Sequence, residues 1–326
     1  MICKLSVCLS DSFDPYPNIA LEKHLLETVE PGQCILYLWQ NQNTVVIGRN
    51  QNPWVECRTS LLEQEGGKLA RRLSGGGAVF HDTGNLNFTF LVCQEDYDLD
   101  KQLSVIQTAC ALAGIDTQRS GRNDILAQDC KFSGNAFYHA HGKAYHHGTL
   151  LINANMEKLG RYLTPSKAKL QAKGVASVRS RVINLQDLCP SLTCALMKSY
   201  MTKAFSQVYG LEATEHPLPC PDILREDTAM LSSWDWLYGT RLTTDFSCEG
   251  RYRWGGILLE LQAESGIIQA AKIYSDAMDW RLPAAIERIL TGCRFTTADM
   301  CDALKQGLED SDICRDICTL LETQGL

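Results

Sequence analysis

The sequence predicts a fold of the α/β (α+β) class, because strand-like and helix-like segments both occur along it. Residues 34–39 and 44–48 are runs of apolar and β-branched residues that favour strands. Residues 18–28 and 101–113 carry apolar residues at helical spacing. The chain has 326 residues, which is long for a single hydrophobic core and suggests two domains.

The elements of the N-terminal third follow in order. The apolar run that begins at Ile2 is typical of a strand, and Asn18 is a candidate N-cap for the first helix. A polar turn at 40–43 would join the two strands named above. Residues 55–65 have a helical pattern that stops at the glycine pair 66–67.

The middle of the chain predicts further short elements. The helix over 101–113 has a stop signal in Gly114. Residues 120–125 and 131–136 are predicted to be short polar turns, and residues 145–152 a strand. Thr193 is a candidate N-cap for a helix that ends at the glycine of position 210.

The pattern changes towards the C-terminus. Residues 251–262 and 267–274 predict a β-hairpin, and roughly three helices follow it. We place the boundary near 241–250, which gives domains of residues 1–245 and 246–326.

The composition is that of a soluble globular enzyme, with 45% hydrophobic and 21% charged residues. No apolar run approaches the ~20 residues that span a bilayer, so no membrane association is expected. The N-terminus lacks a secretion signal and an Arg-rich transit peptide, which favours the cytoplasm. The net charge of −7 disfavours nucleic-acid binding. We expect a monomer.

Cysteines and histidines are common metal ligands, but we do not predict a metal site from those in this sequence. The 15 cysteines include no Cys-x-x-Cys pair, so buried, reduced thiols are expected. Four histidines crowd one stretch: His139, His141, His146 and His147. Two adjacent residues of a strand point to opposite faces, so His146 and His147 cannot line one site. No structural metal is predicted.

The most informative stretch, residues 68–88, contains Arg71 and Arg72 followed by three glycines at 75–77. Glycines allow positive φ and close backbone approach, successive N–H groups can form an anion site, and an arginine fork suits phosphate. Neither a Walker loop nor a dinucleotide fingerprint continues from here, and a strand follows instead of a helix. For the glycines alone, a flexible hairpin loop is the simpler interpretation.

The full string Arg-Arg-x-Ser-Gly-Gly-Gly-Ala-Val-Phe-His-Asp-x-Gly-Asn-x-Asn-Phe closely resembles the signature of the lipoate–protein ligase A family. That family is related in fold to biotin–protein ligases. The resemblance extends over nearly all of residues 1–245. It implies a biotin-ligase-like catalytic domain with mixed sheets, followed by a small α+β accessory domain. It also implies an ATP-dependent reaction that converts lipoate to lipoyl-AMP and passes the lipoyl group to a carrier lysine.

The resemblance assigns the nucleotide side of the site. Lys131 matches the catalytic lysine of a Lys-x-Ser-Gly motif, and would stabilise charge in both half-reactions. Asp124 could orient the nucleotide or hold Mg²⁺, although its neighbour Asn123 could do so too. The segment 171–182 matches a stretch that folds over the adenylate, although a solvated basic face is the simpler interpretation of its charges. The residues assigned to ATP or the adenylate are Arg72, Gly75, Gly76, Gly77, Ala78, Val79, Phe80, Asn123, Asp124, Lys131, Lys173 and Arg179.

The resemblance also assigns the acyl side. Without it, a tryptophan such as Trp39 would simply be a core residue. The residues assigned to lipoate are Glu22, Trp39, Arg71, Ser74, His81, Ser133, Gly134, His147 and Thr149.

The expected partners are lipoyl domains of 2-oxo-acid dehydrogenase complexes and the glycine-cleavage carrier protein. Two alternatives remain open from the sequence. One is an ATP-independent lipoyl or octanoyl transferase of the same superfamily, some of whose relatives use a cysteine nucleophile. The other is a non-enzymatic sensor of lipoate or nucleotide, which an intact Lys131 argues against.

Overall fold

The computed structural model describes residues 1–121, 124–164, 182–238 and 246–324. Its strands, in chain order, are β1 (Lys4–Leu9), β2 (Gln33–Trp39), β3 (Thr44–Ile47), β4 (Lys68–Arg71), β5 (Val79–His81), β6 (Asn85–Cys93), β7 (Gln118–Ser120), β8 (Asp124–Ala127), β9 (Cys130–Ala140), β10 (Lys143–Leu151), β11 (Ala213–Glu215), β12 (Phe246–Tyr252), β13 (Gly255–Glu264) and β14 (Ile267–Ser275). Its α-helices are α1 (Pro15–Thr28), α2 (Pro53–Glu56), α3 (Thr59–Gln64), α4 (Leu99–Leu112), α5 (Met156–Tyr162), α6 (Leu185–Leu188), α7 (Cys194–Tyr209), α8 (Arg225–Ser232), α9 (Trp234–Tyr238), α10 (Leu282–Leu290), α11 (Thr297–Gly307) and α12 (Ser311–Glu322).

The predicted mixed α/β class is confirmed by the sheets. Within the described residues, one large sheet has the strand order β11-β1-β2-β6-β10-β9-β8-β7, and smaller sheets have the orders β4-β3-β5 and β12-β13-β14. In the large sheet β1 is parallel to both of its neighbours. All the other neighbouring strands of this sheet pair antiparallel, from β2 with β6 through to β8 with β7.

Helices cover both faces of the large sheet, because its strands are apolar on both sides. On one face, Phe88 and Phe90 pack in a cluster with Ile106 of α4 and Phe205 of α7. On the other face, Tyr37, Leu91 and Tyr145 pack with Ile19 and Leu25 of α1, and with Leu231 of α8. Burial of such side chains contributes roughly 1.5–3 kcal/mol each. The second face also carries the polar residues that form the site described below.

The C-terminal sheet has its own core, which helices α10 to α12 complete. Leu259 and Ile273 of the sheet pack in one cluster with Ile286, Met300 and Ile317 of these helices. The predicted hairpin, formed by β13 and β14, and the three helices that follow it are therefore confirmed. No helix of the described residues has the length and apolarity needed to cross a membrane.

Several local predictions were wrong. The first helix begins at Pro15 and is capped by Asp14, because the side chain of Asn18 is buried and donates to the carbonyl oxygens of Ser12 and Gln40. The predicted helix over 55–65 is two short helices, since Cys57 between them is extended and bridges to Leu163.

Two predictions about strands were also wrong. Residues 131–136, predicted as a polar turn, lie inside β9, where Phe132 is in the core, and Lys131 and Asn135 line the cavity described below. Residues 251–262 are two strands rather than one. Gly255 between them has a φ of +154°, and a Cβ atom there would come within 2.9 Å of the backbone nitrogen of Ala277. By contrast, the helix capped by Thr193 and ended by Gly210 is confirmed.

Candidate functional site

The glycine loop, residues 72–78, joins β4 and β5, the two edge strands of a small sheet. Nη2 of Arg72 donates hydrogen bonds to the carbonyl oxygens of Gly75 and Gly77, each at 2.8 Å. Gly76 has a φ of +89°, and a Cβ atom at this position would lie 2.9 Å from Nη2 of Arg72. Only glycine therefore allows the loop to curl around the guanidinium group.

The guanidinium of Arg72 places a buried positive charge at this loop. Its side chain is 7% exposed, and burial lowers its pKa to about 10, so it remains protonated at neutral pH. In the part of the chain that the structure describes, no carboxylate forms an ion pair with it. The loop is consequently suited to an anionic ligand.

The strap, residues 276–280 after β14, brings the C-terminal region to the glycine loop. The amide nitrogen of Gly76 donates to the carbonyl oxygen of Ala277 at 3.1 Å. A Cβ atom on Gly75 would lie only 2.2 Å from that oxygen, so this contact also requires glycine. Met278 of the strap lines the cavity described next.

A cavity of about 150 Å³ lies between the glycine loop and the polar face of the large sheet. Its walls come from α1, β2, β3, β5, β6, β9, β10, the glycine loop and the strap. It brings together the following predicted site residues: Glu22, Trp39, Arg72, Gly76, Gly77, Ala78, Val79, His81, Lys131, Gly134, His147 and Thr149. Residues more than 100 positions apart in the chain thus share one small space.

A hydrogen-bonded cluster forms the wall beside α1. Oε1 of the fully buried Glu22 accepts from Nδ1 of His147 at 2.8 Å and from Oγ1 of Thr89 at 2.7 Å. Nε1 of Trp39 donates to Thr89 at 3.2 Å. On its other side, Nε2 of His147 lies 2.8 Å from Oγ of Ser74, at the start of the glycine loop.

His81 lines this cavity as a neutral, buried ring. Burial lowers its pKa to about 3. Asn41 accepts from Asn18 through its amide oxygen, so its amide nitrogen faces Nδ1 of His81, at 3.2 Å. Nδ1 must therefore accept, which leaves the proton of His81 on Nε2.

Lys131 extends from β9 to the cavity wall. Its Nζ lies 2.6 Å from Oδ1 of Asp124 on β8, and both side chains are about one-third exposed, at 36% and 35%. The aliphatic chain folds over Gly134, where a Cβ atom would lie 3.0 Å from Nζ. The ammonium group is thus held at the cavity by an ion pair that solvent can reach.

Some predicted site residues are described but do not line the cavity: Arg71, Ser74, Gly75, Phe80, Ser133 and Asp124. Arg71 instead donates to five backbone carbonyl groups, those of Gly48, Arg49, Gln51, Trp236 and Leu237. The ring of Phe80 packs in the core of the small sheet against Tyr162. Predicted residues Asn123, Lys173 and Arg179 lie outside the described residues, as does the rest of 165–181.

The cavity also contains residues that the sequence pattern did not assign: Val46, Asn87, Asn135, Ala136, Gly148 and Met278. Asn87 belongs to the family string, so that motif could have found it, whereas strand alternation would have placed Gly148 on the face opposite His147 and Thr149. Met278 had no such signal, because it reaches the cavity only through the contact between the strap and the glycine loop.

His146 faces away from His147, as the strand alternation predicts. It is fully buried beside Phe90, between Asn135 at 2.8 Å and Gln102 at 3.2 Å, and burial lowers its pKa to about 3. The described residues contain no group of three or more histidine, cysteine or acidic side chains that could hold a metal ion.

Residues 14–206 match the lipoyl protein ligase A/B catalytic domain family, and residues 243–313 match the bacterial lipoate protein ligase C-terminus. The first match covers more than half of the sequence. The chain therefore belongs to the lipoyl protein ligase A/B family, and the resemblance drawn from the sequence is confirmed.

Solved structures agree on the fold. LipL1 of P. falciparum, in complex with lipoate, has a TM-score of 0.83 and 27% identity, and the match covers 96% of this chain and 98% of that one. A bipartite lipoate protein ligase from Thermoplasma acidophilum, with its E2 lipoyl domain, has a TM-score of 0.66 and 22% identity over 74% and 99% of the two chains. A lipoate-protein ligase A bound with ATP has a TM-score of 0.64 and 22% identity over 73% and 99%. At these identities the last two show the fold alone.

Proposed function

We propose that this protein is an ATP-dependent lipoate–protein ligase, which forms lipoyl-AMP and then transfers the lipoyl group to a lysine of a carrier domain. One observation carries the proposal. A single cavity joins Lys131 and the glycine loop to the buried wall of Glu22, Trp39 and His147. Such a space can hold an acyl chain with its carboxylate beside a nucleotide phosphate.

In the first half-reaction, a carboxylate oxygen of lipoate attacks the α-phosphorus of ATP, and pyrophosphate leaves. Positioning and charge neutralisation supply most of the catalysis in such transfers. Lys131 would contact the carboxylate and the α-phosphate, because among the described residues its Nζ is bound only through the partly exposed pair with Asp124. Arg72 would act mainly through its charge and by shaping the loop, since its N–H groups already bind loop carbonyls.

The donor set fits a magnesium ion shared with the nucleotide. Mg²⁺ is usually held by one or two carboxylates together with phosphate oxygens, so a dedicated cluster of protein ligands is not needed. Asp124 is the carboxylate beside Lys131 and would hold the ion, which would neutralise phosphate charge when bound.

In the second half-reaction, the amine of the carrier lysine attacks the acyl carbon, and AMP leaves. Lys131 would then stabilise the oxyanion that develops on the acyl oxygen. The relative from Thermoplasma acidophilum was solved with an E2 lipoyl domain, which supports a lipoyl domain as the carrier. By the same reasoning we propose the lipoyl domains of 2-oxo-acid dehydrogenase complexes and the glycine-cleavage carrier protein.

We also propose that the catalytic domain comprises residues 1–245 and the accessory domain residues 246–326. The separate cores support this division. The strap would then be the point at which the accessory domain meets the catalytic cavity.

The ATP-independent acyltransferase is the main alternative. Its variant with a cysteine nucleophile would need a thiol at the cavity, and none of the cysteines in the described part of the chain lines it. The non-enzymatic sensor is the second alternative, and it would bind lipoate or nucleotide without turnover.

The deciding experiment is intact-mass analysis of an apo lipoyl domain incubated with the protein, lipoate, ATP and Mg²⁺. We expect one lipoyl group to be added to the domain, and no addition when ATP is omitted. Modification without ATP, when an already acylated carrier domain is supplied as the acyl donor, would move the protein to the acyltransferase class. No modification with several carrier domains, despite lipoate binding, would favour the sensor.

A further inference from the structure

A continuous chain of buried hydrogen bonds links the acyl side of the cavity to the glycine loop. Glu22 accepts from Nδ1 of His147 at 2.8 Å, and Nε2 of His147 lies 2.8 Å from Oγ of Ser74. Oγ of Ser74 accepts in turn from Nε of Arg72 at 3.1 Å. The other end of Arg72 holds two carbonyl groups of the loop.

The directions of these bonds follow from the chemistry of the groups. An ionised carboxylate can only accept, so His147 donates from Nδ1 to Glu22. Nε2 then shares a hydrogen bond with the hydroxyl of Ser74, whose oxygen keeps a lone pair whichever of the two atoms donates. That lone pair accepts from the N–H of Arg72. Each member of the chain therefore fixes the orientation of the next.

All four residues of this hydrogen-bond chain are buried, which makes each of its bonds costly to lose. Glu22 and Ser74 are 0% exposed, and His147 and Arg72 are each 7% exposed, so solvent is poorly placed to replace a lost bond. A buried polar group that loses its partner costs more than the bond itself contributes. Ser74 does not line the cavity, whereas Arg72 and Gly76 on either side of it in the loop do. The hydrogen bonds of Ser74 therefore hold the loop in place and do not contact a ligand.

We propose that His147 is a positioning residue for the glycine loop, and that through Ser74 it sets the affinity for the nucleoside triphosphate. The inference rests on the proposed function, because it takes the glycine loop as the nucleotide site. His147, which lies on the lipoate side of the cavity, would thus also affect the binding of the nucleotide. Because binding linkage is reciprocal, an acyl group that holds His147 in place strengthens nucleotide binding, and the nucleotide strengthens acyl binding by the same factor.

The test is calorimetric titration with ATP and Mg²⁺ in the absence of lipoate, where no reaction can follow. Ser74→Ala and His147→Phe should each weaken ATP binding about three- to tenfold, the effect of losing one net hydrogen bond. The double variant should be no weaker than the worse single variant, because both substitutions break the same chain.

Two further variants separate positioning from a general structural role. Glu22→Gln keeps an oxygen that accepts from His147 and should retain ATP affinity, whereas Glu22→Leu should lose it to the same extent as His147→Phe. Ser6→Ala is the matched control for Ser74→Ala: the hydroxyl of Ser6 is also buried and accepts a hydrogen bond, from Nε2 of Gln33 at 3.0 Å, but Ser6 does not line the cavity. This control should leave ATP affinity unchanged, and thermal melting should show all variants folded.

The outcomes are distinct. If the wild-type protein binds no ATP, the proposed function is wrong and this inference is wrong with it. If the wild-type protein binds ATP and the Ser74→Ala and His147→Phe variants bind it equally well, only the inference is wrong. Additive losses in the double variant, or an equal loss in Glu22→Gln and Glu22→Leu, would also overturn it.

Discussion

Replacement of Lys131 by alanine removes the one lysine that lines the cavity among the described residues. In the proposed mechanism its ammonium group stabilises developing negative charge in both half-reactions. Loss of one oxyanion-type contact costs about 10²–10³ in rate, which corresponds to about 2.7–4 kcal/mol of transition-state stabilisation. We therefore expect both adenylation and transfer to slow by that factor in Lys131→Ala.

The fold should survive this substitution. The ion pair of Lys131 with Asp124 spans 2.6 Å but joins two side chains that are 36% and 35% exposed. A solvent-screened pair of this kind contributes about 0–1 kcal/mol, a small part of the stability of a folded chain. A large loss of activity with a small change in melting temperature would therefore identify a role in chemistry.

The assay measures the two half-reactions separately in single turnovers, first the formation of lipoyl-AMP and then transfer from preformed lipoyl-AMP to an apo lipoyl domain. The matched control is Lys305→Ala, which removes an exposed lysine paired with Asp302 at 3.5 Å on the C-terminal helices. The control should react at the wild-type rate. If Lys131→Ala also reacts within a few-fold of the wild type, its assignment as the catalytic residue is refuted.

Three further predictions concern other parts of the chain. After mixing with lipoate and ATP, mass spectrometry should find tightly held lipoyl-AMP and no acyl thioester, since burial raises the pKa of thiols such as Cys57 and Cys110 to about 12; a stoichiometric thioester would favour the acyltransferase. Residues 171–182 are proposed to cover the adenylate and exclude water, so hydrogen exchange there should slow when lipoyl-AMP binds; equal exchange in both states would return this segment to a solvated basic face. Burial lowers the pKa of His146 to about 3, against 6.5 in the unfolded chain, so unfolding takes up a proton between these pH values. The free energy of unfolding should therefore fall as the pH drops through 6.5, by up to about 1.4 kcal/mol per pH unit. The free energy of unfolding, measured with urea, should drop less from pH 7 to pH 5 in His146→Gln than in the wild type or in His141→Gln, which alters an exposed histidine. Equal drops would contradict the assignment.

The sequence predicted those features that depend on local pattern. The helix from Thr193 to Gly210 has both of its ends marked by residue type, and the structure has the same ends. The strand after the glycine loop and the alternation of His146 and His147 were likewise readable from spacing. These elements are determined by interactions between residues close in the sequence, which act similarly in most folds.

The failures have a common physical cause, which is contact between distant parts of the chain. Asn18 has the residue type of a helix cap, but buried carbonyl groups and Asn41 occupy its side chain. Residues 131–136 include the polar residues Lys131 and Asn135 because this part of β9 lines the cavity, and no local pattern distinguishes such a strand from a turn. Met278 reaches the site only through the strap.

Lipoate-dependent exchange of labelled pyrophosphate into ATP, in the absence of any carrier domain, tests the central claim most directly. If the protein forms lipoyl-AMP and pyrophosphate reversibly, label should enter ATP only when lipoate and Mg²⁺ are present, and Lys131→Ala should abolish the exchange. If no label enters ATP while the same preparation moves lipoyl groups from one carrier domain to another, the protein is an acyltransferase and the adenylate mechanism is wrong.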